Sequence, residues 1–198
     1  MQANSNVIPQ ANAKCNSNKR QRGFALLELV LAVAVVGVLA AIGTGVYSVM
    51  NSGIKADDQA NKTITMVSAI QKNWRNSGGF ASVTGAELNK LSLIAAPLRF
   101  ETPNVVDAFG NTMIINGGAS SFAITTGGAS SSISAEDCAT IANKLSSVAH
   151  TIRVGDDATA AAGVVTGGHL FKSGTTFTQA NLGAGCEETG TIIAAQFR

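Results

Sequence analysis

FALLELVLAVAVVGVLAAIGTGVYSVM, running from Phe24 to Met50, decides how the rest of the chain is read. Roughly 20 apolar residues cross a bilayer as a helix, so this run is long enough to span one. It carries one charge, Glu28. Lys14, Lys19, Arg20 and Arg22 stand ahead of it with no acidic residue among them, and the charges after it are sparse and mixed. That asymmetry predicts an amino end in the cytoplasm and a carboxyl end outside.

A secretory signal also opens with basic residues and an apolar core, and Leu39, Ala40 and Ala41 could imitate its small-residue cut site. The position of Glu28 argues against that reading. A carboxylate in the bilayer interior costs roughly 2.5 to 3.5 kcal/mol on insertion scales, so one that is kept there needs a partner and marks function.

Lys19, Arg20 and Arg22, followed by Gly23, Phe24, Ala25, Leu26, Leu27 and Glu28, resemble the processing site of type IV prepilins. The resemblance implies cleavage by a prepilin peptidase between Gly23 and Phe24, N-methylation of Phe24, and Glu28 as the fifth mature residue. It implies further that the Glu28 carboxylate of one subunit meets the Phe24 amine of the next, removing an unpaired charge from an apolar core and setting register. Such a head-to-tail contact does not close and builds an open filament. The partners implied are identical subunits, the peptidase, an inner-membrane assembly platform with its ATPase, an outer-membrane secretin, and lipid before assembly. The location implied is the inner membrane and then an extracellular pilus of a Gram-negative bacterium, serving adhesion, aggregation or conjugative contact.

Beyond the span, Ile54, Ala60, Ile64, Val67, Ile70 and Trp74 recur at spacings that suit one face of a continuing amphipathic helix, stopped at Ser77, Gly78 and Gly79. From Phe24 to about Asn76 such a spine would be roughly 80 Å long. Gly37, Gly43 and Gly45 lower its helix propensity, which suits either close helix packing or local unwinding on assembly. A short helix is expected around Ala86 to Leu93, then a loop punctuated by Pro97 and Pro103. Strands are expected at Met113 to Ile115 and Ser121 to Thr125, separated by Gly117 and Gly118. Ala135 to Arg153 reads as a helix capped by Ser134, with Cys138, Ile141, Leu145, Val148 and Ile152 on one face. Further strands are expected at Val164 to Val165, Leu170 to Phe171, Thr175 to Thr178 and Thr191 to Phe197.

Cys15 falls in the leader, which leaves Cys138 and Cys186 as a pair for a disulfide in an oxidising compartment. A bridge bounding the C-terminal region also resembles the pilin pattern. The stretch Ser121 to Cys138 resembles the sheet-to-helix passage of type IVb pilins, including the toxin-coregulated and conjugative thin-pilus pilins. Phe24 departs from the residue with which that subclass usually begins, and Ala25 replaces a common threonine.

The expected class is thus α+β: a long N-terminal helical spine, one half hydrophobic and the other amphipathic, packed on an antiparallel β-sheet head with a C-terminal disulfide. The expected division is a cleaved leader 1–23, a hydrophobic transmembrane and assembly helix 24–50, an amphipathic continuation 51–78 and a head 79–198.

Composition restricts the alternatives. Charged residues are 13% of 198, and Gly, Ala, Ser and Thr abound, as in an extracellular protein. The formal charge of +2 owes four of fourteen basic residues to the leader, so a trimmed chain sets ten basic against twelve acidic residues and no nucleic-acid binding is expected. No cofactor, metal or catalytic residue is expected either. His150 and His169 are isolated, and the pairs Asp57 with Asp58, Asp156 with Asp157 and Glu187 with Glu188 lack calcium-loop spacing, suiting solvated loops or contacts with neighbouring subunits. Ser52 to Lys55 fits S-x-x-K and Lys172 to Gly174 approximates K-T-G, but the middle element of penicillin-binding enzymes is missing, and no dinucleotide or Walker motif appears. The alternatives carried forward are a pseudopilin or minor pilin, and a bitopic envelope protein that keeps its anchor.

Overall fold

The computed structural model describes residues 21–130 and 133–198, with side chains described for 26–41 and from Met50 onward, 131–132 excepted. Two units are distinguished, Met1–Val46 and Tyr47–Arg198.

In the first unit the chain is helical from Gln21 onward, as its many Leu and Ala residues favour. The helix α1 spans Gln21–Trp74. From Leu26 to Leu39 its large apolar side chains are unpacked: Leu27 is 68% exposed and even Val35 is 51% exposed. Among the described residues no helix is long and apolar enough to cross a membrane. The span expected at 24–50 lies partly outside the described side chains.

Within Tyr47–Arg198, α1 buries Ala56, Gln59, Ala60, Thr63, Met66, Val67, Ile70 and Trp74, spaced by three and four as one helical face requires. Ile54 was expected on that face but is 62% exposed. It stands two residues before Ala56, about 200° round the helix from it, and so points to the other side. The expected stop is found. Ser77 N–H donates to the Trp74 carbonyl at 3.0 Å, and Gly78 and Gly79 take φ of +83° and +131°. At Gly79 a Cβ would also lie 2.3 Å from the Ala119 carbonyl oxygen.

The short helix α2 covers Gly85–Lys90, with the Thr84 hydroxyl accepting from Glu87 N–H and Leu88 buried beneath. Next comes a small antiparallel sheet of β1 (Arg99–Glu101), β2 (Asn104–Val106) and β3 (Thr112–Met113). The main sheet contains β4 (Ile115–Gly117), β5 (Phe122–Gly127), β6 (Thr151–Gly155), β9 (His169–Ser173), β10 (Thr176–Phe177) and β11 (Ile192–Phe197), in the order β10-β9-β6-β11-β5-β4 and antiparallel throughout. The strands β7 (Thr159–Ala161) and β8 (Val164–Thr166) form a separate hairpin. Two further helices, α3 (Ala135–Leu145) and α4 (Gln179–Cys186), complete the unit.

Alternation along the sheet separates two cores. Phe122, Ile124, Ile152, Val154, Phe171, Ile193, Ala195 and Phe197 join the α1 and α3 residues in the main core. Ala123 and Ala194 point the other way and meet Ala158, Ala160 and Val165 around the β7–β8 hairpin. Ser121 Oγ donates to the Gly163 carbonyl at 2.7 Å, and Asn116 Nδ2 to the Ala160 carbonyl at 2.9 Å, so polar bonds hold that hairpin where the small alanines supply little area.

Three expectations are corrected. The helix read from Ala135 to Arg153 ends at Leu145, and Thr151–Gly155 is a central strand. Ile152 continues a four-residue spacing from Val148, but it also begins the alternation Ile152, Val154, and two neighbouring strands decide in favour of the sheet. Met113 to Ile115 is not one strand: Met113 pairs with Val105 in the small sheet and Ile115 with Ile124 in the large one. Gly117 does not separate strands but lies inside β4, where a Cβ would come 1.7 Å from the Phe80 carbonyl oxygen.

Buried polar groups tie α1 to the sheet. Asp107, 1% exposed, accepts from the backbone N–H of Phe109, Asn111 and Gly127 at 2.9, 2.8 and 3.0 Å and from Thr126 Oγ1 at 3.0 Å. Gln59 reaches the same place, donating to Thr126 Oγ1 and accepting from Ala108 N–H at 2.9 Å. A buried carboxylate is tolerated only with its lone pairs satisfied in this manner.

Candidate processing and assembly site

Gly23, Phe24 and Glu28 fall on one helix, Gln21–Trp74. The Phe24 side chain and the surroundings of Gly23 lie outside what is described. Glu28 is described: it is exposed and makes no hydrogen bond or ion pair among the described residues. Position 28 follows position 24 by four residues, one helical turn, so the two share a face. From Leu26 to Leu39 the same segment presents large apolar side chains to its surroundings, more than the scattered apolar residues an ordinary surface carries. Chemically this is a greasy rod with a single acid near its start and no counter-charge among the described side chains.

Cys138 and Cys186 are bonded, with Cα atoms 5.7 Å apart and a sequence separation of 48, and the bridge joins α3 to α4. Around it, α1 is fastened to α3. Ser134 caps α3, its Oγ accepting from Asp137 N–H at 3.1 Å and donating to Asp137 Oδ2 at 2.7 Å. Ser52 Oγ donates to the same oxygen, and Lys144 pairs with Asp57 at 2.9 Å. These ties were not legible in sequence, because Ser52 and Asp137 are 85 residues apart. Ser52 of the S-x-x-K match and Lys172 of the K-T-G-like stretch are held at opposite ends of α3. Ser52 is engaged by Asp137, while Lys172 donates to the carbonyls of Ser146 and Ala149 at the end of α3, with its ammonium 5.2 Å from the Phe177 ring centre.

The acidic pairs have partners in their own chain, not only the solvent or neighbouring subunits expected for them. Besides Asp57, Asp157 Oδ1 accepts from Gly168 N–H at 2.5 Å, and Glu188 accepts from Asp156 N–H at 2.7 Å and meets His169 Nε2 at 2.9 Å. His150 Nδ1 lies 3.0 Å from Thr151 Oγ1.

The bond from Asp156 N–H, and after it the one to His169, holds the Glu188 carboxyl below its ordinary value. Its contribution to stability is therefore complete above the unfolded carboxylate value and is lost as pH falls through the lower folded one. The melting temperature of Glu188→Gln is expected to lie below that of the parent near neutral pH, with the gap closing as pH falls below the ordinary carboxylate value. Parallel curves across a thermal-melt series in pH would refute this assignment.

The prokaryotic N-terminal methylation motif is matched over residues 18–44, a window that contains Gly23, Phe24 and Glu28. This match supports the resemblance to type IV prepilins drawn from the residues themselves. A search of curated proteins gives no match. Among solved structures, the chain is similar to the crystal structure of TcpA, a type IV pilin from Vibrio cholerae El Tor biotype, at 20% identity and a TM-score of 0.48, covering 73% of this chain and 99% of that one.

Proposed function

We propose that the protein is a type IV prepilin: it is inserted in the inner membrane, trimmed between Gly23 and Phe24, methylated on Phe24 and polymerised with identical copies into an extracellular fibre. The methylation motif at residues 18–44 carries this reading. The exposed apolar side chains from Leu26 to Leu39 supply what a membrane and then a fibre core would bury.

In this scheme the segment 24–50 is the membrane span and later the core of the fibre. Proteolysis leaves an amine on Phe24, and the Glu28 carboxylate of a neighbouring copy neutralises it. The prepilin peptidase, an inner-membrane platform with its ATPase, and an outer-membrane secretin are the machinery such a path requires. The Cys138–Cys186 bridge suits an oxidising exterior. Adhesion, aggregation or conjugative contact would be the work of the assembled fibre, and no catalytic role is assigned to the subunit.

The mature amino terminus is the test. Mass spectrometry of protein sheared from cells is expected to find N-methylated Phe24 as the first residue. A chain starting at Met1 or near Ala41 would overturn the proposal. Gly23→Phe is expected to leave nearly all of the protein untrimmed, because a side chain then occupies the position from which the leader is cut, and an immunoblot for the longer precursor reads it.

A further inference from the structure

The β7–β8 hairpin lies across β5 and β11, in the unit Tyr47–Arg198, on the face of the main sheet turned away from the main core. Of the side chains in Thr159–Ala161 and Val164–Thr166, only Ala160 and Val165 are buried. Beneath them Ala123 and Ala194 are fully buried in the central strands. Burying a valine contributes about 1.5 to 3 kcal/mol and one further carbon about 0.8 kcal/mol, whereas ordering the backbone of a residue costs about 1 to 2 kcal/mol. Apolar contact alone therefore does not hold the hairpin down.

Polar groups fasten it at both ends. At the base, Glu188 accepts from Asp156 N–H at 2.7 Å and Asp157 Oδ1 from Gly168 N–H at 2.5 Å. Arg153 Nη1 donates to the carbonyls of Gly167 and Gly168 at 2.7 and 3.2 Å. Those bonds hold the two segments by which the chain enters and leaves the hairpin. Nearer the tip, Ser121 Oγ donates to the Gly163 carbonyl and Asn116 Nδ2 to the Ala160 carbonyl. Gly163 has a φ of +77°, and a Cβ there would lie 2.2 Å from the Ser121 carbonyl oxygen, so backbone meets backbone at this point.

We propose that β7–β8 is a strap that opens as one unit while the main sheet stays folded, and that the Glu188 and Asp157 carboxylates are the clasp that acid releases. Lifted, it is a two-stranded hairpin on its own, which is marginal at best in water, so its backbone amides then exchange with solvent. Opening uncovers Ala123 and Ala194, and with them an apolar face of β5 and β11. Around Glu188 stand His169 of β9, Asp157 of the turn that follows β6, and its chain neighbour Glu187. The Asp156 N–H and then His169 hold the Glu188 carboxyl below its ordinary value. Its hold on the base is therefore complete above the unfolded carboxylate value and is lost as pH falls through the lower folded one.

Hydrogen–deuterium exchange of the full chain in detergent micelles, read by mass spectrometry on peptides covering the hairpin and β11, tests the strap. In the parent near neutral pH the hairpin amides are expected to exchange at least about tenfold faster than those of β11, with little acceleration in dilute urea because a local opening exposes little surface. Glu188→Ala is expected to speed hairpin exchange about tenfold and Asn116→Ala about fivefold, as loss of a charged and of a neutral hydrogen bond predicts. Protected β11 amides show that each variant is folded. Removing both cysteines, Cys138 and Cys186, is expected to speed exchange in β11 and leave the hairpin rate unchanged, because the bridge is the same whether the strap is open or closed. After correction for intrinsic exchange, the difference between parent and Glu188→Ala is expected to vanish below the ordinary carboxylate value.

A common rate for hairpin and β11 in the parent, or equal acceleration of both on loss of the bridge, would show that the hairpin opens only with the whole unit and would overturn the proposal. Hairpin rates unmoved by both Glu188→Ala and Asn116→Ala would do the same, and a Glu188→Ala difference that persists in acid would remove the carboxylate clasp. None of Gly23, Phe24 and Glu28 enters this test, so the strap and the prepilin reading stand or fall separately.

Discussion

Cells making Glu28→Ala are expected to release fibres at less than about a tenth of the parental yield while still trimming and methylating Phe24, because breaking a buried ion pair costs about 3 to 5 kcal/mol and leaves the other charge stranded. The effect should be large because no group in the chain can substitute. Glu28 is the one charged residue between Phe24 and Met50, and it has no partner among the described residues of its own chain. In the proposed fibre its alanine variant leaves every Phe24 amine facing an apolar core. Trimming should survive because cleavage precedes that pairing. Shearing, followed by an immunoblot of fibre and cell fractions, separates assembly from processing. Parental fibre yield from the variant would defeat the account of register, and an untrimmed variant would show that Glu28 acts at an earlier step.

The second large effect concerns the head. Opening the loop closed by Cys138 and Cys186, through Cys138→Ala with Cys186→Ala, is expected to destabilise the full chain by about 4 kcal/mol on the chain-entropy estimate for a loop of this length. For a domain of this size that corresponds to a fall in melting temperature of roughly 10 °C. The loop contains α3's second half, β6 to β10 and most of α4, so the bridge constrains much of the main sheet in the unfolded chain. Cys138 and Cys186 are both buried, and alanine avoids placing a hydroxyl in their site. Thermal unfolding of parent and variant, with the parent repeated under reductant, measures the difference. A variant that melts within about 2 °C of the parent would show that packing of α3 and α4 alone secures the region.

Both predictions rest on features that local sequence makes legible. A long apolar run, a basic flank and one acid are recognised without knowing what lies nearby in space, and so is the periodic face that leads from Ala60 to Trp74. The end of that helix could also be placed, since Gly78 and Gly79 adopt positive φ where other residues would be strained. The pairing of cysteines followed from position along the chain, with Cys15 set apart by the leader.

Other elements were not legible, for a common reason. Thr151–Gly155 has a spacing that suits either a helix or a strand, and only its neighbours Ile192–Phe197 and His169–Ser173 select the strand. The strands Arg99–Glu101 and Asn104–Val106 are three residues each, too short to produce a period. Ser52, Gln59 and Asp107 are polar and were invisible to a search for apolar faces, although each forms part of the polar contacts that bind α1 to the rest of its unit.

By itself, then, the sequence determined the long helix α1, the motif around Gly23, Phe24 and Glu28, and the existence of a cysteine pair, because each depends on residues within a few turns or on simple order. Tertiary structure alone decided the strand order, the place of β11 at the centre of the sheet, and the Asp107 and Asp137 contacts. Those depend on groups brought together from distant parts of the chain, and no local pattern records which distant partner satisfies a given hydrogen bond.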